Sequence, residues 1–351
     1  MSEGKKTAVV ICPGRGTYNS TELGYLKRYH GAPNPGFEAL IRNVDKARES
    51  RHQTRISELD AATKFKSSLH GTGDNASALI YTCAMADFKQ IDLNQYDIVA
   101  VTGNSMGWYL ALACAGVLTE MGGYDVVNTM GSIMHNEGLG GQVIYPRVDA
   151  DWRLDPRLVL KTEDVVRRIR QQPDAEIYPS IALGGMQVYA ANDAGITGLL
   201  NELPRQQDRY PFQLLHHSAF HSPLLKHIPD LAKAALGPEL FAMAQAPLID
   251  GSGRIWQPGA YSVDDIYRYT LEQQITETYN FSKAIEVSLK EFAPDKLIIP
   301  GPGASLGPPV AQQLISQRWH DLDSKQAFQD AQQQAPFVLS MGLDQQRALL
   351  I

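Results

Sequence analysis

Apolar residues in this chain gather in short runs punctuated by turn signals. "TAVVIC" (Thr7–Cys12), "DIVAVT" (Asp97–Thr102), "APLID" (Ala246–Asp250) and "KLIIPG" (Lys296–Gly301) each lead into a glycine or turn signal and then a helix-like segment. Their alternation with helices predicts an α/β fold on a largely parallel sheet.

The texture changes between Gly140 and Tyr210. "GQVIYPRV" is followed by the charged helical stretch "KTEDVVRRIRQQ", then "EIYPSIALGGMQVYAAN", then a second helix from Asp193 to Leu203. This β-α-β-β-α order predicts a small α+β insertion of ferredoxin-like type at 140–210. The flanking segments, 1–139 and 211–320, then form one discontinuous large α/β subdomain. Gln and Asp enrichment in "DLDSKQAFQDAQQQ" (Asp321–Gln334) predicts an exposed helix or loose tail in a C-terminal extension, 321–351. The chain has no internal repeat.

A chain of 351 residues with 44% hydrophobic content can bury a large core, which excludes disorder. A formal net charge of −6 without a dense Lys/Arg run argues against a nucleic-acid partner. The apolar run near the first residues is broken at once by Pro13 and Gly14, unlike a signal peptide. No segment reaches the roughly 20 apolar residues of a membrane span. Cys12, Cys83 and Cys114 form no CxxC pair and leave an odd count, which fits a reducing, cytoplasmic setting and a packing role.

The chemistry is concentrated in Gly103-Asn104-Ser105-Met106-Gly107, a GxSxG pattern between an apolar strand and an apolar helix. A nucleophile on a sharp strand-to-helix turn occupies a strained backbone conformation and needs small neighbours. The turn also sets Ser105 at a helix N-terminus, where the Met106 N–H can stabilise an oxyanion. A plainer reading makes Ser105 a helix cap and the glycines a tight turn.

Serine needs a base, most often histidine. In "FQLLHHSAFHSPLLKHI" an apolar strand runs into a turn bearing His216, His217 and His221, and Pro223 opens a helix. No acidic residue or cysteine sits among these histidines at ligand spacing, so no metal is expected. His320, in "SQRWHDLD", is a rival base with the charged surroundings of a solvated helix end. The GxG of "HGTGDNAS", Gly71 and Gly73, reads as a loop before a helix and is too weak for a nucleotide site.

In order, "CPGRG", "GNSMG", "AFHSP" and "IPGPGASLG" resemble the malonyl-CoA:acyl-carrier-protein transacylases and the acyltransferase domains of polyketide synthases, from about Ala8 to about Ala311. The resemblance implies an α/β-hydrolase-like large subdomain with a ferredoxin-like small one inserted, and an active site between them. It implies Ser105 as nucleophile, His221 as base, a coenzyme A thioester as substrate with no bound cofactor, and an acyl carrier protein as partner. The histidine of such enzymes is oriented by a backbone carbonyl in a QxYNP-like segment, here "ETYNF" around Glu277 and Asn280.

Several positions depart from that pattern. Arg15 replaces the glutamine of PGQG beside the oxyanion site, and Asn104 replaces the histidine of GHSxG. Met130 stands where malonyl-specific members carry the arginine of RGxxMQ, with Gly131 and Met134 in register and His135 in place of the glutamine. An arginine there would hold the free carboxylate of malonyl in a two-pronged salt bridge, which methionine cannot do. A carboxylate buried beside Met130 without another cation would cost on the order of several kcal/mol. Either Arg15 takes the carboxylate, or the acyl group is acetyl or another uncharged unit. The resemblance to polyketide acyltransferases with an AFH phenylalanine, here Phe220 in "AFHSP", implies a small α-carbon in either case. Water in place of the carrier thiol would make the protein a hydrolase, and loss of chemistry would leave a scaffold that docks carrier proteins.

Overall fold

The computed structural model of the chain describes residues 4–32 and 34–351. All four apolar runs become strands of one six-stranded sheet. Its members are β1 (Lys6–Cys12), β2 (Tyr96–Gly103), β7 (Leu248–Ile249), β8 (Ile255–Trp256), β9 (Lys296–Ile299) and β10 (Val338–Ser340), in the order β10-β9-β1-β2-β7-β8. Pairing is parallel throughout except for the β7–β8 hairpin. The centre of this sheet is β1, whose residues Ala8 to Cys12 are wholly buried, as expected for a strand covered on both faces.

The segment with the different texture forms a second, antiparallel sheet. It comprises β3 (Gly141–Pro146), β4 (Ile177–Leu183), β5 (Met186–Ala191) and β6 (Phe212–Leu214), in the order β4-β5-β3-β6. Its fourth strand carries the sheet to residue 214, past the expected boundary at 210. A separate core of Val143, Tyr145, Val165, Ile169, Tyr189 and Leu199 lies between this sheet and its two helices.

The helices that matter for the site are α1 (Gly73–Phe88), α2 (Gly107–Cys114), α3 (Glu120–Glu137), α4 (Pro156–Ile169) and α5 (Asp193–Glu202), then α6 (Val263–Arg268), α7 (Gln274–Thr276) and α8 (Phe281–Phe292). Helix α4 starts as its sequence dictates: Pro156 fills the first turn and the Asp155 side chain accepts from the N–H groups of Arg157 and Leu158. Gly73 and Gly131 let α1 and α3 touch, because a Cβ on either would overlap the other's carbonyl oxygen. Between α6 and α7 the chain forms a π-helical stretch, Tyr269–Gln273, of the kind often found beside functional sites.

The expected C-terminal extension needs correction. Lys325–Gln334 does form a helix with no buried residue, but β10 then returns to pair with β9 as an edge strand of the large sheet. Arg347 follows it, buried against Asp87 of α1 at 2.6 Å. The three cysteines are free, with Cys12 and Cys83 buried. Among the described residues, no helix is long and apolar enough to cross a membrane.

Candidate active site

Strands β1 and β2 run side by side with Cys12 opposite Gly103, so the loops that leave their C-terminal ends lie together. "PGRG" follows the first and "NSM" the second. The Asn104 N–H donates to the Cys12 carbonyl at 3.1 Å, joining them. Parallel sheets present their sites at this edge.

Ser105 has φ 56°, a left-handed conformation that non-glycine residues seldom adopt. The flanking glycines make that turn possible. A Cβ at Gly103 would overlap the Gly107 carbonyl, and one at Gly107 would overlap the carbonyl of Cys12. The plain reading of the glycines as turn formers and the chemical reading therefore meet in one geometry.

The Ser105 Oγ lies 2.6 Å from His221 Nε2, and His221 Nδ1 lies 2.6 Å from the Gln274 carbonyl oxygen. A carbonyl can only accept, so Nδ1 carries the proton and Nε2 is left to receive that of the serine. His221 is itself left-handed, φ 56°, and is 3% exposed. Burial holds its imidazole down at about 4, against a smaller upward effect of the bond to Gln274. The ring is thus neutral at physiological pH.

The expectation that this carbonyl comes from around Glu277 and Asn280 is corrected to Gln274. Glu277 lies past the end of α7 in extended backbone, and its N–H donates to the Gln273 carbonyl at 2.8 Å. Asn280 caps α8 through its side chain to the Lys283 N–H, and its own N–H goes to Gly251. The last carbonyls of a helix have no partner within it, and the Gln274 carbonyl in the terminal turn is taken by His221.

Gln274 also binds through its side chain. Its Nε2 donates to the Ser105 carbonyl at 3.1 Å, and its Oε1 accepts from the Tyr109 hydroxyl at 2.9 Å. Tyr279 packs its ring 5.2 Å from that of His221 and donates to the Gly103 carbonyl at 2.6 Å. Sequence reasoning missed Gln274, Tyr109 and Tyr279. A backbone carbonyl leaves no residue signature, Tyr109 sits in an apolar helix, and Tyr279 lies in the segment read only for its backbone around Glu277 and Asn280.

The other histidines part ways. His216 Nε2 meets Ser67 Oγ at 3.1 Å. His217 Nδ1 donates to Gln142 Oε1 at 2.8 Å, Gln142 Nε2 donates to Ser180 Oγ, and Ser180 Oγ donates to the Phe220 carbonyl, both at 2.7 Å. This buried relay ties the four-stranded sheet to the residue before His221. Burial, reinforced by the charge of Arg15, pushes the His217 imidazole well below its usual value. His320 stacks near Trp319 and Phe337 and is not the histidine that meets Ser105.

Beside Ser105 lies a pocket of about 440 Å³. Helix α3 supplies Val127, Met130 and Met134, α1 supplies Ser77, α2 supplies Tyr109, α7 supplies Ile275, and Arg15 and Phe220 also line it. Asn104 faces the wider cleft shared with β3–β5 rather than this pocket. His135, beyond the pocket on α3, is exposed. Among the described residues no hydrogen bond engages the backbone N–H of Arg15 or Met106, and both residues line the pocket together with Ser105. Free N–H groups are what an oxyanion requires.

Arg15 is a half-buried cation with few partners. One Nη2 proton goes to the Gly71 carbonyl at 2.8 Å, its guanidinium lies 5.9 Å from the Phe220 ring centre, and among the described residues its buried Nε has no partner. Burial lowers its pKa to about 10, with only a partial upward effect from Asp74. It remains a cation at neutral pH.

No protein-family model matches the chain, and no curated protein matches it in sequence. Solved structures do. The malonyl-CoA:ACP transacylase of Synechocystis sp. PCC 6803 aligns with a TM-score of 0.71 at 16% identity, over 98% of this chain and 100% of the other. The malonyl CoA-acyl carrier protein transacylase of Coxiella burnetii aligns at 0.74 and 15% identity, over 99% and 96%. A malonyl-transacylase solved in complex with its type II PKS acyl-carrier protein aligns at 0.68 and 18% identity, over 88% and 93%. The chain therefore has the mixed α/β fold of these transacylases.

Proposed function

We propose that the protein is an acyltransferase that moves a short acyl group from coenzyme A to the phosphopantetheine thiol of an acyl carrier protein through an ester on Ser105. The observation that carries this reading is the Ser105 Oγ to His221 Nε2 contact of 2.6 Å at a left-handed turn, with the imidazole oriented by Gln274. The fold shared with transacylases that act on carrier proteins supports the choice of acceptor. We read the four-stranded sheet and its helices as a ferredoxin-like subdomain inserted in an α/β-hydrolase-like one, and the enzyme as cytoplasmic.

In the first half-reaction Ser105 Oγ attacks the thioester carbonyl carbon while its proton passes to His221 Nε2. The oxyanion accepts from the N–H groups of Met106 and Arg15. Its collapse breaks the carbon–sulfur bond, and the departing coenzyme A sulfur takes the proton back from His221. In the second half the carrier thiol gives its proton to His221 and attacks the ester, and Ser105 leaves with that proton. The Gln274 carbonyl supports the transient imidazolium in place of a carboxylate. No resident cofactor takes part.

Brief mixing with acyl-CoA followed by intact-protein mass measurement tests this. The expected result is one acyl adduct that Ser105→Ala abolishes and that holo carrier protein discharges with formation of acyl carrier protein. An unmodified Ser105 under all acyl-CoAs would leave a docking scaffold. An adduct lost at the same rate with and without carrier would make the protein a hydrolase.

A further inference from the structure

The residues that line the Ser105 pocket differ in charge. The α3 residues Val127, Met130 and Met134 are apolar, and Met130 is 2% exposed. They offer no side-chain donor to an anion. Arg15 lines the same pocket, one residue beyond Gly14, which is packed so closely on the Asn104 carbonyl that a Cβ there would overlap it. That packing fixes where the Arg15 side chain starts.

A guanidinium has five N–H donors, and here one neutral carbonyl is the protein acceptor found for them among the described residues. Asp74, the acidic group nearest in effect, lies instead 4.0 Å from Arg48. A half-buried cation with an unpartnered buried nitrogen is costly unless something else completes it. What completes a planar fork of donors is a carboxylate, held by two parallel hydrogen bonds.

We infer that Arg15 is the receptor for a free carboxylate on the acyl group, so that the substrate is a carboxyacyl thioester; the inference rests on the acyl-Ser105 reading above. The cation stands in the loop after β1 rather than on α3. In a malonyl-sized unit the carboxylate carbon and the reacting carbonyl are separated by one methylene. The same loop then serves both ends: the Arg15 backbone N–H the oxyanion, its side chain the carboxylate. Phe220 stands beside the guanidinium and lines the same pocket. The Met130 wall contributes apolar contact to the methylene and no charge.

The test compares Ser105 acylation rates for malonyl-CoA and acetyl-CoA in the wild type, Arg15→Gln, Arg15→Lys and the double variant Arg15→Gln/Met130→Arg, read as the malonyl-to-acetyl ratio within each protein. Loss of two charge-assisted hydrogen bonds lowers the ratio roughly 100-fold in Arg15→Gln. Lysine, a point charge without the fork, recovers part of it. The double variant, with a cation added on α3 in the same pocket, recovers part as well. A ratio within about threefold of wild type in Arg15→Gln overturns the inference and leaves the acyltransferase standing. Absence of any adduct in the wild type overturns the acyltransferase reading itself.

Calorimetry on Ser105→Ala provides a second measurement that does not depend on how the Arg15 variants fold. Malonyl-CoA binds it at least about tenfold tighter than acetyl-CoA, the difference expected of one charged contact. Equal affinities overturn the inference.

Discussion

On one side of the pocket, Ser105, His221 and Gln274 are joined by polar contacts of 2.6, 2.6 and 3.1 Å, and both Ser105 and His221 are held in left-handed backbone. In the rest of the lining, Val127, Met130 and Met134 present flexible or aliphatic groups, and Arg15 beside them has a single protein acceptor among the described residues. The first side is over-determined by its neighbours, and the second is held mainly by apolar packing. A proton transfer needs its atoms fixed to a few tenths of an ångström, whereas an acyl group can be received by shape and one charge.

The most direct way to break this contrast is at the base. His221→Ala removes the proton acceptor and lowers acyl transfer roughly 10³-fold, measured as kcat/KM, without changing the malonyl-to-acetyl ratio. In the wild type, pH tests the same atom. His221 must be neutral to act and is held at about 4, so kcat/KM stays flat from neutral pH downward and falls tenfold per unit only below about 4. An acid limb near 6.5 would mean that the imidazole is more solvated than its burial requires.

A smaller effect is expected from the glycine that seats the turn. Gly107→Ala sets a methyl against the Cys12 carbonyl in the middle of the β1–β2 edge. Overpacking of this kind costs on the order of 2 kcal/mol. Thermal unfolding reads that loss, and the rate of Ser105 acylation falls with it because the turn that carries Oγ is displaced.

How much of each side the sequence discloses follows from the same contrast. GxSxG and the histidine turn are legible because their constraints are local: small residues flank a strained one, and a strand end carries the base. The four apolar runs are legible because buried parallel strands leave no polar alternation. By contrast, β8 has two residues and β10 three, too few for any period, so the return of the chain after the Gln-rich helix went unread. Arg15 and Met130 stand out only as departures from a resemblance, since an arginine in a loop and a methionine in a helix are otherwise ordinary. Gln274 was misplaced by three residues because its main role belongs to a main-chain atom.

That misplacement supplies the smallest of the expected effects. Gln274→Ala keeps the carbonyl that orients His221, so the base survives. The variant loses the amide bond to the Ser105 carbonyl and strands the buried Tyr109 hydroxyl without its acceptor. An unsatisfied buried hydroxyl costs about 1–3 kcal/mol. The turn that holds Ser105 loosens, and kcat falls about tenfold with little change in KM. Glu277→Ala, by comparison, alters an exposed side chain whose backbone N–H is already spent on Gln273, and its kcat stays within about twofold of wild type. Equal losses in the two variants would mean that the Gln274 amide does not hold the Ser105 turn. A loss confined to Gln274→Ala would show that its side chain fixes the nucleophile, beside the carbonyl that orients the base.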